Sequence, residues 1–342
     1  MRSSRKLQRF VMLSFALGMA LVGPILIVMT GSPVKNHLSE ARRQYEHKNR
    51  LRIAQNALVF AQSTANRTEG EAEDEEEDES QARIMYNRVG KCGSRTTLEL
   101  LKVLADRNDF VLATSDINNQ KAITVQEQID LVNYIYQLPI PFIYSRHLFF
   151  IDFQKYGALP LVHINIIRDP IERFVSNFYY KRFGDNRENH TVKFSERRVA
   201  RTVDECVQFA HHECTSKRLF YITPFFCGQE PACFEPGMWA LNRAKTNVIE
   251  KYLVVGLLEE YEDTLRVFER LLPRHFHGVV DLYKHPGAET GARINTTATK
   301  KKVMPSLETR RILRFRMHFD YEFYFFVQER FQALKKELGI GT

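Results

Sequence analysis

One loop carries the residue types that bind a phosphate or sulfate group, Lys91-Cys92-Gly93-Ser94-Arg95-Thr96-Thr97. A strand pattern at residues 82–89 precedes it and a helix pattern at 96–107 follows. The first N–H groups of a helix lie at the positive end of its dipole, so they stabilise an anion. Lys91 adds charge, Gly93 lets the chain approach a ligand closely, and the hydroxyls can donate hydrogen bonds. The loop lacks the Gly-Lys-Ser/Thr ending of a P-loop, and an ordinary strand-to-helix turn is the alternative.

A second turn of this kind follows residues 161–167, a near-continuous apolar run that is typical of a buried parallel strand. The run ends in Arg168-Asp169-Pro170, after which a helix is predicted to about residue 180. Arg168 and Ser176 can both reach a phosphate from this turn. Two anion-binding turns at two strand ends suit a ligand that has two separated phosphate groups.

His147 ends a third strand pattern, at residues 141–147. An imidazole can accept a proton near neutral pH, which is the property of a general base. A lone histidine at a strand end more often has only a structural role. His147 becomes a candidate base because the two anion-binding turns are predicted at other strand ends of the same sheet.

The elements that must position these residues alternate between strand and helix. Further strands are predicted at 110–114 and 252–256. Thr124 with Glu127, and Thr202 with Glu205, each form the capping box that opens a helix. This alternation predicts an α/β fold with a central parallel sheet flanked by helices, and it places ligands at the carboxyl ends of the strands.

A long C-terminal helix is predicted from Ser306. Its aromatic residues are interpreted as core packing rather than as a ligand site. They are Phe315, Phe319, Tyr321, Phe323, Phe325, Phe326 and Phe331.

The N-terminal region predicts a membrane anchor. Residues 10–29 form an uncharged run of 20 residues, long enough to span a bilayer. Four basic residues precede it, so the positive-inside rule keeps residues 1–9 in the cytosol. A cleaved signal peptide is the alternative, although the run exceeds a signal peptide's apolar segment. Residues 30–81 are predicted to be a stem, with nine acidic residues among 69–79, and residues 82–342 a lumenal domain.

The net charge of the region after residue 80 and the N-glycosylation sequons of the chain bear on the compartment and the partners of this region. Beyond residue 80 the chain has 38 basic and 30 acidic residues, so this region holds the whole net charge of +8. A basic surface favours a polyanionic partner, and a lumenal compartment excludes nucleic acid, which leaves acidic polysaccharide. The N-glycosylation sequons begin at Asn66, Asn189 and Asn295.

The five cysteines are consistent with an oxidising compartment. Cys206 and Cys214 are eight residues apart, and Cys227 and Cys233 are six apart, which leaves Cys92 alone. Two local disulfides and one free thiol are the simplest count. A zinc site is the alternative, but the short spacing of zinc modules is missing, and no metal is predicted.

Together the two turns resemble those of the sulfotransferases. In that superfamily the first loop binds the 5′-phosphosulfate of 3′-phosphoadenylyl sulfate, and an arginine and a serine of the later turn bind its 3′-phosphate. A closer similarity, over about residues 82–340, is to the uronyl and heparan sulfate 2-O-sulfotransferases, including the Pipe type. It is carried by Tyr86-Asn87-Arg88-Val89, Ile167-Arg168-Asp169-Pro170-Ile171-Glu172-Arg173, Arg182-Phe183-Gly184-Asp185, Pro224-Phe225-Phe226-Cys227-Gly228 and Val255-Gly256.

The loop at residues 89–95 is more similar to the uronyl branch, because the heparan branch is expected to have a Pro-Lys-Thr-Ala-Ser-Thr type of loop. The family's two disulfides have the same spacings, which supports the pairs Cys206–Cys214 and Cys227–Cys233.

The resemblance implies roles for individual residues. His147 matches the family's catalytic histidine, and Ser145 stands where the heparan enzymes have a second histidine. Lys91 would neutralise the bridging oxygen as the nucleotide leaves. The residues implied in nucleotide binding are Lys91, Cys92, Gly93, Ser94, Arg95, Thr96, Arg168, Ser176, Thr297 and Lys300, and those implied in acceptor binding are Arg88, Arg182 and Arg187.

The resemblance also implies an activity and a location. The expected reaction is sulfate transfer to the 2-hydroxyl of a uronic acid in dermatan or chondroitin sulfate, by a type II Golgi membrane protein that can form homo-oligomers. The alternatives are heparan sulfate or a glycoprotein glycan as acceptor, and a non-catalytic glycan-binding relative. A kinase is disfavoured because the chain shows neither a Gly-Lys-Ser/Thr loop nor an acidic metal-binding set.

Overall fold

The computed structural model describes residues 82–115, 117, 119–159, 161–185 and 194–341. All of them belong to one compact unit, Asn56–Thr342. The predicted tail, anchor and stem lie outside the described residues, as do Arg187 and the sequons at Asn66 and Asn189. No helix within the described ranges combines the length and the apolar character needed to cross a membrane.

A parallel five-stranded sheet forms the centre of the fold, as the alternation of patterns predicted. The strands are β1 (Arg83–Tyr86), β2 (Val111–Thr114), β3 (Phe142–Ser145), β4 (Val162–Ile167) and β5 (Tyr252–Leu257). Their order in the sheet is β2-β3-β1-β4-β5, and every neighbouring pair is parallel. The carboxyl ends of the central strands β1, β3 and β4 therefore meet at one edge, where the three candidate loops begin.

Helices connect the strands and cover the sheet. Those before β5 are α1 (Ser94–Arg107), α2 (Val125–Tyr136), α3 (Pro170–Phe183), α4 (Glu196–Ala200), α5 (Val203–Gln208), α6 (Ser216–Leu219), α7 (Ile222–Cys227) and α8 (Met238–Lys251). Those after β5 are α9 (Tyr261–Leu271), α10 (Pro273–Phe276), α11 (Val279–Lys284), α12 (Gly287–Asn295), α13 (Leu307–Arg316) and α14 (His318–Glu337). Short 3₁₀ turns occur at Phe153–Tyr156, His212–Cys214, Pro231–Phe234 and Leu258–Glu260.

Strand β1 shows why both faces of the sheet are covered. Successive side chains of a strand point to opposite faces. Ile84 and Tyr86 are buried in the main core, with residues of α1, α8, α9 and α14, whereas Met85 is buried in a second cluster with residues of α2. Burial of consecutive residues on both faces explains the continuous apolar strand patterns in the sequence.

Both predicted capping boxes are confirmed. The side chains of Thr124 and Thr202 accept from the backbone N–H groups of Glu127 and Glu205, which bond back to the caps. Each box begins its helix at the predicted residue.

The predicted single C-terminal helix is wrong: it divides at Met317 into α13 and α14. Met317 is buried in a third cluster with residues of α3 and α5, whereas Phe323 and Phe331 are buried in the main core. The break at Met317 therefore lies between a segment that packs in the third cluster and a segment that packs in the main core. The aromatic stripe is accordingly only partly core, since Phe315 is 81% exposed.

Both predicted disulfides are present, Cys206–Cys214 and Cys227–Cys233. Cys92 is a buried free cysteine.

Candidate active site

The first loop leaves the end of β1 and opens α1. Gly93 is the N-cap of α1 with φ of 78°, and no side chain caps the helix. Its first backbone N–H groups are therefore suited to bind an anion. The structure gives two reasons for a glycine at position 93: the left-handed φ favours glycine, and an added Cβ would lie 2.6 Å from Leu258 Cδ1. The close approach of Gly93 to a ligand stays a prediction. Ser94 and Thr96 lie in the first turn of α1, where the loop prediction places them.

Lys91 has a left-handed backbone, with φ of 67°, a conformation that costs a non-glycine residue about 1–2 kcal/mol. Such strain is typical of functional sites. The Lys91 Nζ lies 4.0 Å from the ring centroid of Tyr180 on α3. Arg95 donates to the Tyr180 hydroxyl and forms an ion pair with Asp185, so α3 holds both cations of the loop.

Cys92 lies in this loop and is among the residues predicted to bind the nucleotide. Its side chain is completely buried, and burial raises the pKa of the thiol to about 12. The thiol therefore stays protonated and does not act as a nucleophile.

The second turn lies at the end of β4. Asp169 caps α3 by accepting from the N–H of Glu172, and Tyr321 Oη donates to the other Asp169 oxygen at 2.9 Å. Arg168 Nη2 lies 2.9 Å from Glu172 Oε2. Ser176 is buried two turns into the helix. Arg168 thus lies in the turn that opens α3 and Ser176 within that helix, and their binding of a phosphate stays a prediction.

Residues 296–302 join the two turns. Thr297 Oγ1 lies 3.4 Å from Thr96 Oγ1 on the first turn, and Thr299 Oγ1 lies 3.1 Å from Ser176 Oγ on α3. Thr299 also forms an isolated antiparallel bridge with Asp185. Sequence reasoning selected Thr297 from this segment and missed Thr299.

Lys300 and Lys302 fix the far end of the same segment. The Lys300 N–H donates to the oxygen of Gly184 at 3.1 Å, while its side chain is exposed. Lys302 Nζ lies 2.5 Å from Glu172 Oε2, beside Arg168. Lys302 is the cation that reaches the second turn here, and nucleotide binding by Lys300 stays a prediction.

His147 lies beside the first loop because Tyr86 of β1 pairs with Ser145 of β3. Two residues beyond this pair, His147 Nδ1 lies 2.8 Å from the Arg88 oxygen. Burial first, and then the Arg88 cation, lower the pKa of His147 to about 4, with smaller contributions from Lys121 and Arg95. The ring is neutral at pH 7, which is the state that a base requires.

Tyr221 lies against the same site, and sequence reasoning missed it. A Cβ added to Gly90 would lie 2.8 Å from Tyr221 Oη and 3.9 Å from His147 Cε1, so both rings border this glycine. Lys121 Nζ and Arg173 Cζ lie 4.4 Å and 3.9 Å from the Tyr221 ring centroid. No short sequence motif predicts these contacts, because the side chains come from segments that are far apart in the chain.

Arg173 is 1% exposed, and its Nε and Nη1 atoms have no hydrogen-bond partner among the described residues. A buried guanidinium with open donors costs free energy unless a ligand or solvent satisfies it. The open donors of Arg173 therefore favour an anion or solvent next to this side chain.

The three predicted acceptor-binding arginines have different outcomes. Arg88 is buried next to His147, where its charge acts on the ring. Arg182 is completely buried, and it donates to the oxygens of Phe178 and Arg198 at 3.0 and 3.1 Å and pairs with Glu213. Its donors are used within the fold, which argues against acceptor binding. Arg187 lies outside the described residues, so its role stays a prediction.

The site combines an uncapped helix start, two turns with cationic and hydroxyl side chains, and a neutral imidazole. Ser145, which stands where a second histidine was considered, is completely buried and adds no base. Within the described ranges, no group of three or more His, Cys, Asp or Glu residues could hold a metal ion. Asn295, the one sequon position described, is exposed at the end of α12.

The fold and the site together define a sulfotransferase. Residues 78–327 match the family model described as the sulfotransferase family, and the chain belongs to this family. It is 47% identical over 266 residues to the uronyl 2-sulfotransferases of Mus musculus and Homo sapiens, covering 76% of this chain and 65% of each relative. It is 35% identical over 261 residues to heparan sulfate 2-O-sulfotransferase 1 of Mus musculus, covering 74% of this chain and 71% of the relative. The chain thus spans just under two thirds of the uronyl relatives' length.

Proposed function

We propose that this protein transfers sulfate from 3′-phosphoadenylyl sulfate to the 2-hydroxyl of a uronic acid in a glycosaminoglycan. The observation that carries the proposal is the position of His147, whose ring borders Gly90 in the loop that holds Lys91. A base for the acceptor hydroxyl and a cation for the leaving phosphate then stand on neighbouring loops. Family membership and the uronyl relatives support the same reaction.

The donor's two phosphate ends fit the two turns. The start of α1, with Lys91 and the Thr96 hydroxyl, would bind the 5′-phosphosulfate, and Arg168 with Ser176 would bind the 3′-phosphate. When bound, the donor supplies the activated sulfuryl group. Lys91 would stabilise the negative charge that develops on the leaving phosphate, as cations do in phosphoryl transfer.

His147 would accept the proton of the acceptor hydroxyl. Because the Arg88 oxygen can only accept a hydrogen bond, Nδ1 of the neutral ring carries the hydrogen and Nε2 keeps a lone pair. The cations that depress the pKa of His147 would be offset by an acidic acceptor. Acceptor binding therefore raises the basicity of His147 when the proton must be taken up.

We infer that dermatan or chondroitin sulfate is the acceptor. The loop at residues 89–95 and the higher identity to the uronyl relatives, 47% against 35%, support this choice over heparan sulfate. We further propose a type II Golgi membrane protein, supported by the uncharged run at residues 10–29 and the acidic stem that follows.

Substitution of His147 tests the proposed base in the full-length protein. His147→Ala is expected to lower turnover about 100-fold or more, the usual contribution of a positioned base, while binding of adenosine 3′,5′-bisphosphate stays unchanged. Radiolabelled sulfate transfer measures the first quantity and calorimetry the second. The control is His318→Ala, at an exposed histidine of α14, which should keep full activity. Turnover equal to that of the wild type in His147→Ala would exclude this base.

A further inference from the structure

A groove of about 580 Å³ is lined by Tyr221 and by residues between the two disulfides, and none of its eleven described lining residues is acidic. Three of them are cations, Lys121, Lys217 and Arg218. Lys217 pairs with the exposed Glu235 at 2.5 Å. Lys121 forms no ion pair with a described carboxylate, and neither does Arg218, which donates to His212 Nε2 at 3.3 Å. The groove therefore offers positive charge that the described residues leave largely uncompensated.

Aromatic rings form much of the rest of the lining. Phe149 and Phe234 lie 5.0 Å apart between ring centroids, and Tyr221 stands next to them in the groove. The apolar face of a pyranose ring packs on aromatic surfaces, while its charged substituents need cations. Aromatic faces beside Lys121 and Arg218 thus suit a sugar that carries a fixed negative charge.

Tyr221 connects this groove to the reaction site. Its ring lines the groove, whereas its hydroxyl borders Gly90 beside His147. The backbone at this point is held firmly, because the buried Asp320 carboxylate accepts from the N–H groups of Tyr221 and Ile222 at 2.9 and 3.0 Å. One glycan chain can therefore pass from His147 along Tyr221 into the groove.

We propose that the groove is a second acceptor subsite, which binds another anionic sugar of the chain whose uronic acid lies at His147. This inference rests on the proposed function and adds a requirement for acceptor length and charge. The anion is either a sulfate ester or the carboxylate of a further uronic acid, since both present oxygens to Lys121 and Arg218.

Arg218→Gln tests the subsite in the full-length protein, because Arg218 is exposed and its described hydrogen bond is to His212, which is distant in the sequence from the loops that hold Lys91 and Arg168. Acceptors are chondroitin oligosaccharides of increasing length, each without sulfate and with sulfate on the hexosamine. For the longer acceptors we expect KM to rise about threefold to fivefold, the scale of one exposed ion pair, with kcat unchanged. For the shortest acceptor that is still sulfated, KM should not change.

The double variant Arg218→Gln with Lys217→Gln, which removes a second cation of the groove, should raise KM further, again only for the longer acceptors. A rise in KM only for the sulfated oligosaccharides identifies a sulfate ester as the bound group. An equal rise in KM for the oligosaccharides without sulfate identifies a carboxylate. The control is Lys336→Gln, an exposed lysine at the end of α14, which should behave as the wild type.

Two results would overturn the subsite: unchanged KM for every acceptor, or the same rise for the shortest acceptor as for the longest. Titration of the variants with the longer oligosaccharides, in the absence of 3′-phosphoadenylyl sulfate, should show the same effect as a higher Kd. A wild-type protein that binds them but transfers no sulfate would contradict the proposed function and leave the subsite standing.

Discussion

The Nδ1 atom of His147 lies 2.8 Å from the main-chain oxygen of Arg88, so one residue fixes the tautomer of the ring through its backbone and depresses its pKa through its side chain. The pair exists because β1 and β3 are parallel neighbours in register at Tyr86 and Ser145. The electrostatic part of this relationship can be tested apart from the hydrogen bond, because a substitution at position 88 keeps the backbone oxygen.

Arg88→Met should move the acid limb of the pH profile for kcat/KM to higher pH. The folded pKa of His147 is lowered from 6.5 to about 4 by burial and then by Arg88, so removal of this cation makes protonation easier and raises that pKa. The base is then lost at a higher pH as the solution is acidified. The measurement is kcat/KM from about pH 3 to 8, a range that includes the wild-type limb near pH 4, with Lys336→Gln as a charge-matched control.

KM should rise as well if Arg88 binds the acceptor, but that change alone does not move the acid limb. An acid limb in the wild-type position would show that Arg88 does not depress the pKa of His147.

Thr299→Val should weaken nucleotide binding at the 3′-phosphate end. The Thr299 hydroxyl lies 3.1 Å from that of Ser176, so its loss removes one hydrogen bond from this end, worth about 1 kcal/mol or roughly fivefold in Kd. Calorimetry should show weaker binding of adenosine 3′,5′-bisphosphate and unchanged binding of adenosine 5′-phosphosulfate, which has no 3′-phosphate. Thr296→Val is the matched control, because the Thr296 hydroxyl is bonded to the Arg293 oxygen at 2.7 Å. Equal weakening of both nucleotides would refute the assignment.

Arg182→Met should destabilise the fold rather than weaken acceptor binding. The guanidinium is completely buried, and its removal leaves the carbonyl oxygens of Phe178 and Arg198 and the Glu213 carboxylate without this donor. Breaking a buried ion pair costs about 3–5 kcal/mol. Chemical denaturation should show the loss, and the folded fraction should keep the wild-type KM for the acceptor.

Arg187→Met is the companion variant, since Arg187 was predicted to bind the acceptor and belongs to the same basic stretch of sequence. It should raise the acceptor KM and leave the unfolding free energy unchanged. If Arg182→Met raised the acceptor KM without loss of stability, and Arg187→Met lowered the unfolding free energy instead, both assignments would be wrong.

The sequence predicted the sheet and its loops because the signals there are local. Strand β4 is a run of buried apolar residues, and the capping boxes at Thr124 and Thr202 depend on side chains three residues apart. The disulfides Cys206–Cys214 and Cys227–Cys233 also join near neighbours in the chain.

What sequence reasoning missed depends on contacts between distant segments. The backbone of Tyr221, for example, donates to Asp320, which is 99 residues later in the chain. Thr299 was passed over because the geometry of residues 296–302, which decides which hydroxyl meets α3, is set by the bridge to Asp185. Arg182 was predicted to bind the acceptor because its ion-pair partner Glu213 is 31 residues away in the sequence, and no local pattern predicts that pair.

Analysis of the labelled product tests the central claim most directly. The full-length protein is incubated with radiolabelled 3′-phosphoadenylyl sulfate and, separately, with dermatan, chondroitin, heparan sulfate and a glycoprotein glycan, and the products are digested to disaccharides. We predict that label enters the 2-O position of uronic acid in dermatan or chondroitin, and that His147→Ala abolishes this signal. Label on the hexosamine, or no transfer to any of the four acceptors, would contradict the proposed activity, and transfer to heparan sulfate alone would contradict the proposed acceptor.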